Sequence, residues 1–355
     1  MKEAPAILIP NRMVEHILRM LRKMHLLDNG LKFSRSGEAT FIPLLRLPPD
    51  QDVTILRDKC GDVKVTQAAF QEIETRPKNL QEAVREELPK ESLSDLPRSF
   101  DIIGDIAIIE LPDSLNPFAP AIGKGILKLN PRLRLVLKKS SDISGTFRTR
   151  SFGVIAGVGG SVTLHHEFSC SFRLDVANVY FNSRLSHERK RVAEQVKDGE
   201  HVVDMFAGVG PYSILIAKTH PYSTIHSIDL NPEAIKYLGE NVLLNKVADR
   251  VIPLQGDARL LATESLRGIA DRVIMNLPSE AINFLEAAGQ LLKAQGGTIH
   301  YYAFASREEG LSRVKDEFTS AIESSGRRVQ SFTYERAIKE VAPNRVQVAL
   351  DAVLK

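Results

Sequence analysis

Four short segments of the sequence carry residue types that can bind a nucleoside-like molecule, and each follows an apolar run. The first, 204–211 (DMFAGVGP), contains two glycines that form a turn without side chains, so the backbone can approach a ligand where the next helix begins. Asp229 ends the second run about 20 residues later, where a carboxylate can accept hydrogen bonds from ribose hydroxyls. The third run leads to Asp257, placed to accept from an adenine amino group, and the fourth ends in Asn276-Leu277-Pro278.

Each of these features alone also has a purely structural interpretation. Aspartates after strands often cap helices, and Pro278 can simply begin a helix. The glycine turn lacks the third glycine of the dinucleotide fingerprint, because Ser213 occupies that position, which disfavours a dehydrogenase that uses NAD. Four features in this order, each at the end of an apolar run, favour a ligand site.

The elements that must position these residues begin at about Ser186. A predicted helix at 186–196 is followed by apolar runs at 201–205, 224–228, 251–254, 272–275 and 297–303, separated by helical stretches. Strands that alternate with helices of this length predict parallel βαβ units in a doubly wound sheet. Such sheets bind ligands at the carboxyl ends of their strands, which is where the four segments lie. A stretch at 259–270 has the character of an insertion.

Two smaller domains are predicted before this sheet. Residues 1–95 indicate a small α/β domain, with strands at 6–9 and 40–45 and a helix at 11–24. The charged, proline-containing stretch 70–97 suits surface helices and a linker, with the domain boundary near Asp95. Residues 96–185 indicate a middle domain of mixed α and β structure. It is predicted to contain a hairpin at 100–111, a helix and strand within 120–139, and a β-rich stretch at 151–181.

Positive charge is concentrated in one part of the middle domain. The whole chain has a net charge of +3, but residues 121–150 contain eight basic side chains and one acid, Asp142. The basic residues are Lys124, Lys128, Arg132, Arg134, Lys138, Lys139, Arg148 and Arg150. They alternate with leucine, isoleucine and valine, so this is a folded element with a cationic face, which favours binding to a phosphate backbone over a merely solvated surface.

Composition excludes several other classes of protein. The 355 residues are 43% hydrophobic and 26% charged, an ordinary globular balance, and no run approaches the ~20 apolar residues of a membrane helix. The N-terminus has no signal-peptide pattern, so we expect a cytoplasmic protein. Cys60 and Cys170 are too few for a disulfide framework or a four-cysteine zinc site, and His165 and His166 lack a third ligand, so no metal site is expected.

The order of the strand-end features resembles that of class I methyltransferases that use S-adenosylmethionine. Asn276-Leu277-Pro278 resembles the motif of methyltransferases that modify a planar nitrogen. Together with 145–150 (GTFRTR), 179–192 (VYFNSRLSHERKRV) and 204–213 (DMFAGVGPYS), it is similar to the archaeal and eukaryal tRNA (guanine-37-N1)-methyltransferase family. The resemblance covers nearly the whole chain. It implies a C-terminal Rossmann-like catalytic domain at 186–355, preceded by two smaller RNA-binding domains, the first of which contacts the tRNA body.

Methylation of guanine N1 needs particular side chains. The ring nitrogen must lose its proton to a general base, and a cation can stabilise the negative charge that then grows on O6. The resemblance implies that Glu188 is the base, that Arg148 stabilises O6 and that Asn276 positions the guanine edge. From sequence alone, an exposed ion pair on a helix is the favoured interpretation of Glu188, and only the resemblance reverses it. Spacing does not separate the roles of Arg148 and Arg150.

The resemblance also implies two binding sets. The residues expected to bind S-adenosylmethionine are Arg189, Asp204, Phe206, Gly208, Gly210, Asp229, Asp257, Ala258, Asn276 and Pro278. The residues expected to bind RNA are Lys138, Lys139, Arg148, Arg150 and Tyr180.

The expected activity is therefore N1 methylation of guanosine 37 beside the anticodon of tRNA. Alternatives are a wyosine-pathway methyl or aminocarboxypropyl transferase acting at the same tRNA position, and a non-catalytic tRNA-binding relative. We expect a monomer without an obligatory protein partner that recognises the anticodon loop and the tRNA body.

Overall fold

A computed structural model describes residues 1–73, 77–140, 145, 150–306, 310–342 and 344–355. Arg148, the residue expected to stabilise O6, lies outside the described residues. The chain divides into two compact units, Met1–Lys78 and Asn79–Lys355. None of the helices in the described part of the chain is long and apolar enough to cross a membrane.

The first unit is an antiparallel sheet with two helices. Its elements are β1 (Lys2–Pro10), α1 (Val14–Lys23), β2 (Ser34–Ser36), β3 (Ala39–Pro43), α2 (Asp50–Cys60) and β4 (Lys64–Phe70). The sheet has the order β2-β3-β1-β4. Helix α1 buries Ile17 and Leu21 in one core with Ile7 and Ile9 of β1, as its apolar spacing predicts. The two expected strands and the expected helix are all present.

The second unit begins with a small sheet covered by helices. Its first elements are α3 (Leu80–Val84), β5 (Asp101–Ile103), β6 (Ile106–Ile109), α4 (Ala119–Leu129), β7 (Leu135–Lys139) and β8 (Phe152–Gly157). The expected hairpin is formed by β5 and β6, and the sheet has the order β5-β6-β7-β8. Strands β9 (Val162–Glu167) and β10 (Cys170–Asp175) form a separate hairpin.

The first unit ends before the boundary expected near Asp95. Leu80, Val84 and Leu88 are buried in the same hydrophobic core as Ile122 of α4, so the segment after Lys78 packs as part of the second unit. The proline-containing stretch that suggested a linker therefore contains a helix with a buried apolar face.

The rest of the second unit is a doubly wound sheet. Its elements are α5 (Ser186–Gln195), β11 (His201–Asp204), α6 (Pro211–Thr219), β12 (Thr224–Asp229), α7 (Pro232–Leu244), β13 (Val251–Gln255), α8 (Ala258–Glu264), β14 (Arg272–Met275), α9 (Leu285–Leu291), β15 (Gly297–Ser306), α10 (Gly310–Ser324), β16 (Val329–Ala342) and β17 (Arg345–Leu354). The strand order is β13-β12-β11-β14-β15-β17-β16. Strands β11 to β15 are parallel, as predicted, and β17 is antiparallel to both of its neighbours.

Both faces of this sheet are covered. Ile274, Tyr302 and Ala349 face the core formed with α5, α6 and α7, whereas their chain neighbours Val273 and Tyr301 face the core formed with α8, α9 and α10. The stretch 259–270 contributes most of α8, and Ala262 is buried in that second core.

The small sheet of the second unit shares a core with this large sheet. Ile106 and Leu135 lie in one buried cluster with Val192 of α5 and Val202 of β11. The division expected at 185/186 therefore falls inside one compact unit, and two separate domains on either side of it remain a prediction.

Candidate active site

A cleft of about 960 Å³ lies at the carboxyl ends of the parallel strands. The predicted site residues that line it are Lys139, Arg150, Tyr180, Phe206, Gly208, Asp229, Asp257, Ala258, Asn276 and Pro278. The other predicted residues that the structure describes, Lys138, Glu188, Arg189, Asp204 and Gly210, are not part of its lining. The cleft therefore joins most of the expected cofactor set to part of the expected RNA set.

The glycine turn after β11 is held by Asp229. The Gly208 N–H donates to Asp229 Oδ2 at 2.7 Å, and the Asn231 N–H donates to Oδ1 at 2.9 Å. Gly210 has a φ of 87°, and a Cβ atom there would lie 2.3 Å from Cδ1 of Leu238, so the position requires glycine. Burial raises the pKa of Asp229. The carboxylate lines the cleft, where its oxygens are acceptors of the kind that a ribose diol needs.

Asp204 lies at the end of β11 and is fully buried. Its Oδ2 accepts a hydrogen bond of 2.9 Å from the Ser213 hydroxyl, and its Oδ1 has no partner in the described part of the chain. Burial raises its pKa from 3.8 to about 7. Asp204 therefore supports the turn from within the core and does not reach the cleft.

Asp257 caps α8 and pairs with an arginine that sequence reasoning did not single out. Its Oδ2 accepts from Nη2 of Arg259 at 2.6 Å, and its Oδ1 accepts from the Arg259 N–H at 2.9 Å. The hydrogen bond from the Arg259 side chain lowers the pKa of Asp257. The guanidinium lies 4.8 Å from the ring centroid of Phe284, which contacts Phe206 edge to face. This cluster forms an aromatic wall with a fixed carboxylate, suited to a purine ring.

Glu188 is buried on α5, and both of its carboxylate oxygens accept hydrogen bonds. Arg191 donates to both of its oxygens, through Nη2 to Oε1 at 2.7 Å and through Nε to Oε2 at 2.9 Å. The Tyr302 hydroxyl also donates to Oε1, at 2.7 Å, and Tyr212 lies behind it with its hydroxyl 3.1 Å from that of Tyr302. The surface ion pair that sequence alone allowed is thus a buried one.

The ion pair of Glu188 with Arg191 is part of a larger network of charged side chains on the face of the sheet. Arg191 also donates to Asp351, which accepts a 2.7 Å hydrogen bond from Nδ1 of His300. The His300 Nε2 must accept from Arg272, since a guanidinium has no acceptor, and this fixes the tautomer with the proton on Nδ1. Despite the opposing effect of burial, hydrogen bonds from His300 and Arg191 hold the pKa of Asp351 far below its ordinary range.

Arg189 is buried and is not part of the lining of the cleft. It makes a bidentate ion pair with Glu167, with contacts of 2.7 Å and 2.6 Å, and donates to the carbonyl of Asn182. The residue is 2% exposed. In this arrangement Arg189 joins α5 to β9 and contacts Asn182 and Phe181, which line the cleft. The cofactor contact that the sequence suggested remains a prediction.

Several basic side chains also line the cleft, and we call them its basic wall. Lys139 pairs with Glu110 at 2.9 Å, Arg184 pairs with Asp101, and Lys339 of β16 lies on the same wall. Burial, and then the nearby charge of Arg184, lowers the pKa of Lys339. Arg150 completes this wall. Lys138 instead donates to Asn116 at 2.7 Å, away from the cleft.

The terminal hairpin, β16 and β17, contributes side chains that the sequence interpretation missed. Gln347 of β17 and Phe304 of β15 both line the cleft and face each other across the two strands. A signal was present, because Gln347 and Asp351 are the two polar residues in the apolar run 346–354 (VQVALDAVL). Their spacing of four places both on one face of a strand.

The parallel strand order, the glycine turn and the acidic strand ends together define the fold and site of a class I methyltransferase. Comparisons with known proteins give the family. Residues 163–330 match the model of the TRM5/TYW2 methyltransferase domain, residues 6–52 that of the tRNA methyltransferase 5 N-terminal domain and residues 80–160 that of the TYW2 N-terminal domain. This chain belongs to the Trm5 and TYW2 family of methyltransferases.

Individual relatives agree with this assignment. The chain is 38% identical over 353 residues to the tRNA (guanine(37)-N(1))-methyltransferase Trm5b of Pyrococcus abyssi, covering 98% of each chain. It is 35% identical over 260 residues to the tRNA 4-demethylwyosine(37)-methyltransferase Taw21 of Saccharolobus solfataricus, covering 72% of this chain and 94% of that one. A solved complex of aTrm5 with tRNALeu matches with a TM-score of 0.80 and 29% identity over 99% of both chains. The family that the sequence motifs suggested is confirmed.

Proposed function

We propose that this chain transfers a methyl group from S-adenosylmethionine to N1 of guanosine 37 in tRNA, forming 1-methylguanosine. The observation that carries this proposal is the single cleft that joins the strand-end residues Gly208, Asp229 and Asn276 to the basic residues Lys139 and Arg150. A cofactor site and a phosphate-binding wall that share one cavity suit methyl transfer to a nucleic acid. The relatives that match over nearly the whole chain support the particular base and position.

The cleft residues fit S-adenosylmethionine. Asp229 offers its carboxylate oxygens to the ribose, Phe206 and Ala258 offer apolar surface to the adenine, and the turn at Gly208 lets the backbone approach the rest of the molecule. When bound, S-adenosylmethionine supplies the methyl group as an electrophile on its sulfonium centre.

Methylation of N1 requires the protein to remove the N1 proton and to stabilise the negative charge that develops on O6. We assign the removal of the N1 proton to Glu188, the positioning of the guanine edge to Asn276, and the stabilisation of O6 to Arg148. Glu188 Oε2 accepts only one hydrogen bond, from Arg191, and so keeps a lone pair for the proton. To use it, the carboxylate must turn from its buried position towards the cleft, so this role includes a side-chain movement.

Phosphate contacts position the substrate. Arg150 and Lys139 on the basic wall are suited to grip the backbone of the anticodon loop, and Tyr180 is placed to stack on an unpaired base. Because base 37 is stacked in the loop, it must leave the stack to enter the cleft. Recognition of the tRNA body by the first unit, action as a monomer without an obligatory protein partner and a cytoplasmic location remain predictions.

The central experiment uses labelled S-adenosylmethionine with three tRNAs that differ only at position 37. These carry guanosine, adenosine or 4-demethylwyosine, and the product nucleoside is identified after digestion. We expect label in 1-methylguanosine from the guanosine transcript alone. Label on the adenosine transcript, or on none of them, would contradict the proposal. Preferential labelling of the demethylwyosine transcript would support the alternative activity.

The role of Glu188 is tested by Glu188→Gln, with Glu194→Gln as its control on the exposed face of the same helix. The glutamine cannot accept the N1 proton, so we expect the single-turnover rate to fall by about 10²–10⁴-fold while the affinity for S-adenosylmethionine changes little. Glu194 pairs only loosely with Lys190 at the surface, at 3.6 Å, and its replacement should leave the rate unchanged. A near-normal rate for Glu188→Gln would show that Glu188 is not the base.

A further inference from the structure

Gln347 has an amide side chain that is buried at the wall of the cleft. The residue is 4% exposed and lines the cleft, and its Nε2 has no hydrogen-bond partner among the described residues. Nearly all buried polar groups in folded proteins are hydrogen-bonded. An unpartnered donor at the wall of a cavity therefore points to an acceptor on the molecule that the cavity binds.

Gln347 lies one row above the residues that hold Glu188. Ala349 of β17 faces Tyr302 of β15, and Gln347 faces Phe304. Because side chains alternate along a strand, these four share the face of the sheet that Glu188 packs on. Two residues along a strand span about 7 Å, so Gln347 stands about 7 Å from the row that contains Tyr302, at the level where the cleft opens.

Asn276 approaches the same place from the next strand. Ile274 of β14 faces His300 of β15, and both belong to the face described above. Asn276 follows two residues after Ile274, so it leaves the sheet on this face, and it lines the same cleft. By this register Asn276 lies level with Tyr302 and Gln347 lies one row further along, on the opposite side of β15.

We infer that Gln347 is a specificity-determining residue whose Nε2 donates a hydrogen bond to O6 of the target guanine. The inference rests on the function proposed above. Guanine O6 has two lone pairs, so it can accept from Gln347 as well as from a cation. As N1 loses its proton, negative charge grows on O6, and a donor fixed at that atom stabilises the transition state more than the bound substrate. Adenine carries an amino group at the same position, which would place a donor against a donor.

The test compares Gln347→Met with Gln347→Glu. Methionine has a similar shape and removes a buried donor that has no partner among the described residues, so we expect the unfolding midpoint to stay the same or rise. We expect the single-turnover rate on the guanosine-37 transcript to fall by about 10²–10³-fold, with little change in the dissociation constant for S-adenosylmethionine. Glutamate replaces the donor with an acceptor, so it should lower the guanosine rate at least as much. It should also raise the affinity for the adenosine-37 transcript relative to the guanosine-37 transcript.

Gln290→Met is the matched control. Gln290 on α9 also has a buried amide atom, Oε1, that lacks a partner in the described part of the chain, but it does not line the cleft. Its replacement should leave the rate on guanosine 37 unchanged. An inosine-37 transcript, which keeps O6 and lacks the 2-amino group, should lose as much rate as guanosine when Gln347 is replaced.

Three results would overturn the inference. The first is a near-normal rate on the guanosine-37 transcript for both Gln347 variants. The second is a loss of rate that is matched by a loss of cofactor affinity or of thermal stability. The third is a loss of rate on the guanosine-37 transcript that is absent on the inosine-37 transcript. Absence of guanosine-37 methylation by the wild-type protein would instead overturn the proposed function, and with it this inference. The two failures are therefore distinguishable.

Discussion

Asp204, the buried acid under the glycine turn, allows a test of whether its raised pKa makes the stability of the fold depend on pH. The residue is 0% exposed, one of its oxygens has no partner in the described part of the chain, and burial raises its pKa from 3.8 to about 7. Asparagine has nearly the same shape and cannot ionise. Asp204→Asn should therefore change the pH dependence of stability in a predictable direction.

The sign follows from the two pKa values. Below about pH 4 the acid is neutral in both the folded and the unfolded chain, and its contribution to stability is fully present. Between about pH 4 and about pH 7 only the unfolded chain ionises, so unfolding releases a proton and stability falls by about 1.4 kcal/mol per pH unit. Above about pH 7 the acid is ionised in both states, and the accumulated cost is about 4 kcal/mol.

The measurement is the free energy of unfolding in urea for the wild-type chain and for Asp204→Asn, from about pH 5 to about pH 8. We expect the variant to gain about 3 kcal/mol relative to wild type over this range, nearly all of it below pH 7. Asp249→Asn, which removes an aspartate whose side chain is 74% exposed, is the control and should follow the wild-type profile. Parallel profiles for wild type and Asp204→Asn would refute the reasoning.

Three further predictions concern the cofactor, the RNA and the charged network. Asp229→Ala removes two charged acceptors, each worth about 1.5–3 kcal/mol, so calorimetry should show the affinity for S-adenosylhomocysteine falling by about 10²–10⁴-fold; a change under fivefold would count against ribose binding at this residue. Arg150→Gln should reduce the slope of log K for tRNA against log salt by about 0.7–0.9, and an unchanged slope would exclude a phosphate contact there. Arg272→Leu leaves Glu200 and His300 without their buried partner, so urea unfolding should show a loss of about 3–5 kcal/mol, and a loss below 1 kcal/mol would contradict that partnership.

The parallel part of the fold was predictable because periodicity and length separate its elements clearly. All five apolar runs from 201 to 303 form adjacent parallel strands, and the segments after four of them lie at the carboxyl-end edge of the sheet. The physical reason is that strands buried on both faces are continuously apolar and that crossover helices make them parallel. Asp229, Asp257 and Asn276 were therefore located from their place after a strand alone.

The boundary between the two units was less accessible from sequence. Charged residues and prolines at 70–97 favoured surface helices and a linker, because each is individually typical of exposed chain. Leu80, Val84 and Leu88 are nevertheless spaced by four, and that apolar stripe is buried in the second unit. The segment is packed rather than exposed because burial of a few large side chains offsets its unfavourable local propensity.

The orientation of side chains could not be predicted from sequence, and it matters most on α5. Glu188 and Arg189 are adjacent residues, both buried, and both bound to partners far away in the chain: Glu188 to Tyr302, and Arg189 to Glu167. Nothing in the local pattern of α5 distinguishes a buried ion pair from a group that faces a ligand. The partners come from β15 and β9, and only their place in the sheets brings them to this helix.

The contrast between two parts of one sheet face separates residues that support the structure from residues that await a ligand. On the face that Glu188 packs on, Glu188, Arg191, Asp351 and His300 have every charged group paired, and such a closed network fixes side-chain orientation while adding little net stability. Gln347 lies one row from Tyr302 and two rows from the His300–Asp351 pair, and it is just as inaccessible to solvent, but its donor has no partner among the described residues. A fold that pairs these charged groups and leaves that donor open at the wall of the cleft, about 7 Å from the row of Tyr302, fits the inferred contact with the base.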